Sequence, residues 1–302
     1  MSIRNYIHDI KRIRRMNSRR YGNRENLSIE CAENKIVELI KSNRPFSVIR
    51  MGFGELDFMN ECYLREKKNL HNKPYKRVSM SSLLGEKENG VEDYNSMIRE
   101  AFFNADIITC WYQPPYEKKM IKEYSGENTV CTTQHILEPI YSQIKWIHAL
   151  EGKRVLVVSP FSKTIEKQVP KLDKVYPSRL WPNVEIKTVT SVWYDNMVAK
   201  DSRFANWFEA LEYMKSEINK IDYDIALLGC GTFGTPLVDY IKQTGKQAIY
   251  MGGVIQMLFG IRGNRWDNDG NKYSGLYNDY WTRLGDDNKP EKAEGLEGAC
   301  YW

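Results

Sequence analysis

The stretch LLGCGTFGTPLVDYI, residues 227–241, runs from apolar residues through glycines spaced G-x-G-x-x-G into a helix-like pattern. Strand, glycine turn and helix in that order form one half of a βαβ unit. The same alternation extends in both directions from it. FSVIRM, DIITCWY, TVCTT, KRVLVVSPF, VEIKTVTSV, DIALLGC and KQAIYMGG read as strands. Helical patterns follow Ser28 and cover VEDYNSMIREAFFNA, HILEPIYSQIKWIHAL, SKTIEKQVPKL, SRFANWFEALEYMKSEINKI and TPLVDYIKQTG. Residues 60–95 read as polar surface excursions. The expected fold class is α/β: a Rossmann-like, doubly wound, mostly parallel sheet of about seven strands.

At 302 residues with 42% apolar content, the chain can bury a substantial core, and disorder is excluded as its dominant state. No internal repeat or linker divides it. The expected organisation is a basic N-terminal helix or arm over residues 1–27, then a single Rossmann-like catalytic domain over 28–302. The net charge of +5 is uneven, because KRIRRMNSRRYGNR, residues 11–24, carries seven basic groups and no acid. Such a segment suits an anionic membrane surface or a polyanion. Nucleic acid is not the expected partner, since the bases cluster at one end only and the aromatics show no repeated basic spacing. The six cysteines form no CxxC pair, and the N-terminus lacks an apolar signal core, so a cytoplasmic setting is expected, with peripheral membrane contact through the basic segment.

Open α/β sheets bind ligands beyond the carboxyl ends of their strands. Three strand ends here carry chemistry. In RMGFGELDF, Gly52 and Gly54 permit a close backbone approach, Glu55 offers a base or metal ligand, Asp57 could assist it, and Arg50 supplies a counter-charge. The structural reading of the same residues has Glu55 capping the next helix and paired with Arg50. In VVSPFSKTI, Ser159 and Lys163 suit phosphate oxygens without making a P-loop, and a capped turn explains the serines equally well. In the opening stretch, Gly229, Gly231 and Gly234 allow close approach while Thr232 and Thr235 offer hydroxyls. A dinucleotide site would need an acid after the following strand, and QAIYMGG has none. An S-adenosylmethionine site fails on the same missing acid. What remains is a cradle for a diphosphate or another compact anion at a helix start, with Arg265 downstream to neutralise charge and Trp266 either stacking on a base or sugar or packed over a glycine turn. His135 is the histidine expected nearest a strand-end cleft.

SVIRMGFGELDF, GKRVLVVSPFSKTIEKQ and DYDIALLGCGTFGTPLVDYIKQTGKQAIYMGGVIQMLFGIRGNRW, with the terminal GACYW, together resemble a group of poorly characterised proteins found beside polysaccharide genes. The first and third segments are more distantly similar to glycosyltransferases of the D-type fold. The closer resemblance covers roughly residues 45–302. In the D-type enzymes the first motif reads approximately RxGDGE, and its two carboxylates are associated with a divalent metal and catalysis. Arg50, Gly52, Gly54 and Glu55 match it, but Phe53 stands at the Asp position.

The resemblance implies a glycosyltransferase that moves a sugar from a nucleotide-sugar donor to a glycan or lipid-linked acceptor. Mg2+ or Mn2+ would be held through Glu55, and the donor's diphosphate through Gly231, Thr232 and Gly234. The missing acid keeps an alternative open, a non-enzymatic nucleotide- or glycan-binding protein of a polysaccharide assembly system. A second alternative is an enzyme of nucleotide or phosphate-ester chemistry.

Overall fold

The apolar runs marked by the sequence lie side by side in a computed structural model, which describes residues 3–70, 75–76, 78–196, 199–268, 273–285, 289–290, 292–295 and 298–302. The main sheet contains β1 (Arg20–Tyr21), β2 (Arg24–Asn26), β3 (Phe46–Arg50), β4 (Ile107–Cys110), β5 (Val130–Thr133), β6 (Arg154–Ser159), β7 (Glu185–Thr190), β8 (Ile225–Leu228) and β9 (Gln247–Tyr250). Their spatial order is β1-β2-β5-β4-β3-β9-β8-β6-β7. All neighbouring pairs are parallel except the β1–β2 hairpin. The seven contiguous strands from β5 to β7 are the seven apolar runs, and the fold is the expected Rossmann-like α/β class.

Alternate residues of each strand feed two cores, as a sheet covered on both faces requires. Ile49, Leu156, Val158, Ala226 and Leu228 pack on one face, whereas Val48, Val155, Val157, Ile225 and Leu227 pack on the other. The first core is covered by α3 (Phe53–Lys68), α4 (Val78–Leu84), α5 (Gly90–Asn104), α6 (Glu117–Tyr124), α9 (Trp207–Asn219) and α10 (Gly234–Gln243), while the short α8 (Leu172–Val175) packs on the second. The second is covered by α2 (Ile29–Lys41) and α7 (Ser162–Gln168). Ser28 caps α2 as expected, its side chain accepting from the Cys31 N–H at 3.2 Å.

Three regions differ from the sequence reading. Polar excursions were expected to begin at residue 60, yet α3 continues to Lys68, with Cys62 and Tyr63 buried among charged neighbours. A helix was expected over HILEPIYSQIKWIHAL, but the segment forms two short 3-10 turns, Gln134–Leu137 and Trp146–Leu150. Pro139 explains the break, because it donates no N–H and biases the preceding Glu138 away from helical geometry; Glu138 sits at φ −106, ψ 69. The third is the N-terminal region. Helix α1 (Ile3–Met16) forms as expected, but the basic residues after it build the edge hairpin of β1 and β2. The Asn26 amide donates to the Met16 carbonyl at 2.9 Å and to the Ser18 carbonyl at 2.7 Å, joining helix and hairpin. Among the described residues no helix is long and apolar enough to cross a membrane.

From β3 the chain moves outward through β4 to β5, and it later returns through β8 to place β9 against the other side of β3. Strand order therefore reverses between β3 and β9, and the crevice beyond that reversal is where such sheets hold ligands.

Candidate active site at the strand ends

A cleft of about 930 Å³ opens at this reversal, lined by residues that follow β3, β4, β5, β6, β7, β8 and β9. Arg50 ends β3, Gly52 caps α3, and Glu55 lies in the first helical turn. The Glu55 Oε2 accepts the Gly52 N–H at 2.6 Å, so part of the capping role is real. Oε1 is buried with no hydrogen-bond partner of normal geometry. Burial pushes the Glu55 carboxyl above its ordinary value, while the Gly52 N–H, the Arg50 charge and the nearby Tyr94 hydroxyl pull it back. Arg50 donates one long bond to the Met251 carbonyl, 3.4 Å, and its buried Nε has no partner. Its guanidinium lies 5.8 Å from the Trp111 and Tyr250 ring centroids. Gly252, at φ +61, makes room for it, since a Cβ there would stand 2.2 Å from an arginine nitrogen.

The glycine loop faces these residues from the β8 side. Gly231 opens a 3-10 turn, Gly231–Phe233, that runs directly into α10. Gly231 takes φ +56, and its carbonyl accepts the Tyr250 hydroxyl at 2.7 Å. The Thr232 hydroxyl accepts the Trp207 indole N–H at 3.0 Å and keeps its own proton to donate. Gly229 and Gly234 are glycine for packing: added methyls would stand 2.5 Å from Ile255 and 2.3 Å from the Tyr250 ring. Cys230 belongs to this loop, and burial followed by the nearby Glu55 charge pushes its thiol up.

The expected residues divide by placement. Arg50, Glu55, Gly229, Gly231, Thr232 and Arg265 line the cleft. The Thr235 hydroxyl is fully buried and donates to the Arg50 carbonyl at 2.9 Å, tying α10 to β3. Gly234 packs beneath Tyr250. Ser159 is buried, its hydroxyl accepting the Phe161 N–H at 3.2 Å in a local turn. Lys163 is exposed on α7, and Asp57 is half-buried on α3; neither reaches the cleft wall. Two residues beyond Glu55 on a helix, Asp57 is turned more than half a revolution away from it.

Trp266 lines the cleft but is 7% exposed, edge-on to Tyr273 at 5.3 Å. His135 also lines it, with Nδ1 3.7 Å from the Glu138 carboxylate, whose other oxygen accepts the Tyr273 hydroxyl at 2.7 Å. The chain end closes one side. Cys300 and Trp302 accept backbone N–H groups from Arg265 and Asn264 at 2.8 and 3.0 Å, and Arg265 donates to the Tyr301 hydroxyl at 3.2 Å.

Sequence reasoning missed Trp111, Tyr250, Trp193 and Tyr301 as parts of the wall. Trp111, directly after β4, and Tyr250, the last residue of β9, carried a signal that could have found them, a polar-capable aromatic at the end of a buried strand.

Glu55, the residue expected to hold a divalent cation, lines the cleft. Among the described residues no group of three or more His, Cys, Asp or Glu side chains is gathered for an ion. At the cleft Glu55 already gives one oxygen to its own helix, and Phe53 presents a ring where the family motif has a second carboxylate.

A mostly parallel sheet with glycine turns, an arginine and a buried carboxylate at its reversal point defines a Rossmann-like α/β protein. A family model described as a GT-D fold-like domain matches residues 28–258. The chain belongs to this GT-D-like family, whose fold is that of glycosyltransferases. Among solved structures it is similar to one described as the selenomethionine-substituted structure of domain of unknown function 1792, at 15% identity over 92% of this chain and 100% of that one, TM-score 0.45. A second, described as domain 1792 with a distinct glycosyltransferase fold, gives 15% identity, 92% and 100% coverage, and TM-score 0.44. A third, described as a new glycosyltransferase (DUF1792) from Streptococcus sanguinis, gives 13% identity, 88% and 96% coverage, and TM-score 0.46. A search of curated proteins found no match.

Proposed function

We propose that the protein is a glycosyltransferase that moves a sugar from a nucleotide-sugar donor to a glycan or glycolipid acceptor in polysaccharide assembly. One observation carries this reading. The buried, half-partnered Glu55 carboxylate lies beside Arg50, whose Nε also lacks a partner, across the crevice from a glycine loop at a helix start. Buried polar atoms without partners are unusual, and packing alone does not account for both of them at one strand end.

The donor's diphosphate sits at the Gly229–Thr232 turn, where close backbone approach, the Thr232 hydroxyl and the positive start of α10 favour an anion. Arg265 meets the charge that grows there as the donor bond breaks. The acceptor hydroxyl oxygen bonds to the anomeric carbon while the bond from that carbon to the diphosphate oxygen breaks. The electron pair leaves on the diphosphate, and the hydroxyl proton passes to Glu55. A carboxylate raised above its ordinary range is the stronger base for that transfer. No step is routed through a divalent cation, and Mg2+ or Mn2+ enters as a variable of the test.

The basic N-terminal segment supports peripheral contact with an anionic bilayer, the place where a lipid-linked acceptor resides. Lys11, Arg14, Arg19 and Arg20 are exposed, and Arg12 on the same segment reaches the cleft wall.

Turnover of UDP-, GDP- and CMP-sugars over a panel of glycan and polyprenyl acceptors, with and without Mn2+ or Mg2+, tests the proposal. Glu55→Gln should abolish transfer while retaining the folded spectrum and donor binding. Full activity in that variant removes Glu55 from its role. The presence of Phe53 at the acid position favours one second reading, a nucleotide- or glycan-binding protein without turnover. Donor binding by titration calorimetry with no transfer to any acceptor, and no release of nucleotide, is the result that reading expects.

A further inference from the structure

Phe53 is 38% exposed, although it is the first residue of α3, where a carboxylate would interact favourably with the helix dipole. Local stability gives no reason for a solvent-facing ring there. The ring is also not loose. It packs on Trp111 with centroids 4.4 Å apart and planes tilted by 31°. The Trp111 indole N–H donates to the Met51 carbonyl at 2.8 Å, and its backbone N–H is held by Glu117 at 2.9 Å. Glu117 is itself buried, and its carboxylate also accepts the Tyr112 N–H at 2.8 Å and the Tyr21 hydroxyl at 2.9 Å. Arg15 of α1 donates to the Tyr112 and Gln113 carbonyls, both at 3.0 Å, closing the turn from outside. An exposed ring backed by a second ring, and fixed through both to β3 and β4, forms a rigid flat surface on the cleft wall.

We infer that Phe53, backed by Trp111, is the stacking platform for the acceptor's sugar ring, presenting its hydroxyl to Glu55. This inference rests on the transferase reading. A pyranose has a C–H-rich face that packs on an aromatic surface and a rim of hydroxyls that remains free to react. Position assigns the platform to the acceptor. Phe53 and Trp111 follow β3 and β4, whereas the glycine loop and Arg265 follow β8 and β9, on the other side of the strand reversal. Glu55, two residues along α3 from Phe53, lines the same cleft and is close enough to Cys230 of the glycine loop to influence its thiol. The ring that replaces the family's second carboxylate therefore has its own task.

The test uses the full chain and two separate probes. Saturation-transfer NMR with a set of methyl pyranosides reads the platform, and calorimetry with UDP and GDP reads the donor side. Wild type should transfer saturation to at least one pyranoside. Phe53→Ala should weaken that binding by roughly tenfold, Phe53→Tyr should retain it, and nucleotide binding should be unchanged in both.

The inference is overturned by any of three results: wild type binds no pyranoside, Phe53→Ala binds as wild type does, or Phe53→Ala loses nucleotide instead. Pyranoside binding that depends on Phe53, without sugar transfer from any donor, would refute the transferase and leave the platform. Transfer with an unchanged acceptor KM in Phe53→Ala would do the reverse.

Discussion

Gly231 and Gly234 are three positions apart in one loop and are glycine for different physical reasons. Gly231 has open space around its Cα but a left-handed φ of +56, whereas Gly234 has an ordinary φ and the Tyr250 ring 2.3 Å from where a methyl would stand. Gly231→Ala should cost about 1–2 kcal/mol of backbone strain. Gly234→Ala should cost ~1–3 kcal/mol through overpacking and displace the Tyr250 ring, weakening nucleotide binding as well. Urea unfolding and calorimetry of the two variants check this contrast.

Glu55 makes the second prediction at this scale. Its folded pKa lies above the ordinary 4.5, so the stability it contributes is fully present below about 4.5 and is lost as pH rises through the folded value. Glu55→Gln, which resembles the protonated form, should therefore unfold at a higher temperature than wild type at neutral pH. The advantage should vanish in acid. Transfer by wild type should fall as pH drops through the same folded value, with its acid limb above 4.5. The residue types at this site were legible because glycine, arginine and glutamate directly follow apolar runs. Which Glu55 oxygen caps the helix and which is left open was not, since that depends on the Gly52 N–H and on burial from elements far along the chain.

Among the elements, α10 and β3 are joined by the Thr235 hydroxyl, which crosses 185 positions of sequence to reach the Arg50 carbonyl. Thr235→Val keeps the shape and removes the bond, leaving a buried carbonyl short of a partner. A loss of about 1–3 kcal/mol is expected, with weaker nucleotide binding because both halves of the cleft shift together. Equilibrium unfolding beside nucleotide titration measures both effects.

The inner parallel strands were readable because each is a short, largely apolar run, whereas β7, EIKTVT at the sheet edge, is mixed. Helix α3 was underestimated because the segment ECYLREKK buries Cys62 and Tyr63 while most of its residues are polar or charged. The region 134–150 misled in the opposite sense. Ile136, Leu137, Trp146, Ile147 and Leu150 are all buried, but they reach the core from two turns on either side of Pro139 and not from one helical face. The β1–β2 hairpin gave almost no hydrophobic signal, since Tyr21 is its buried apolar residue and arginines surround it.

Across the whole molecule, the charge is concentrated at one end, and that end adjoins the cleft. Arg15 and Arg24 are engaged with the body through the Tyr112, Gln113 and Ser125 carbonyls, which leaves Lys11, Arg14 and Arg19 exposed on the same segment. If they serve a bilayer, co-sedimentation with vesicles containing anionic lipid should weaken with added salt. Replacing all three by alanine should remove about 1 kcal/mol per charge. Equal binding of the triple variant would assign the contact elsewhere.

The chain end reaches the cleft from the other direction, with Tyr301 against Arg265 and Trp302 against Phe161 and Trp193. Arg12 and Tyr301 thus meet the strand ends at one crevice, which Glu55 and the Gly229–Thr232 turn also line. A crystal of the protein soaked with UDP or GDP tests that arrangement most directly. The account predicts the diphosphate at Gly231 and Thr232, with the Glu55 carboxylate on the same side of the bound nucleotide. Nucleotide bound away from both Gly231 and Glu55 would contradict it.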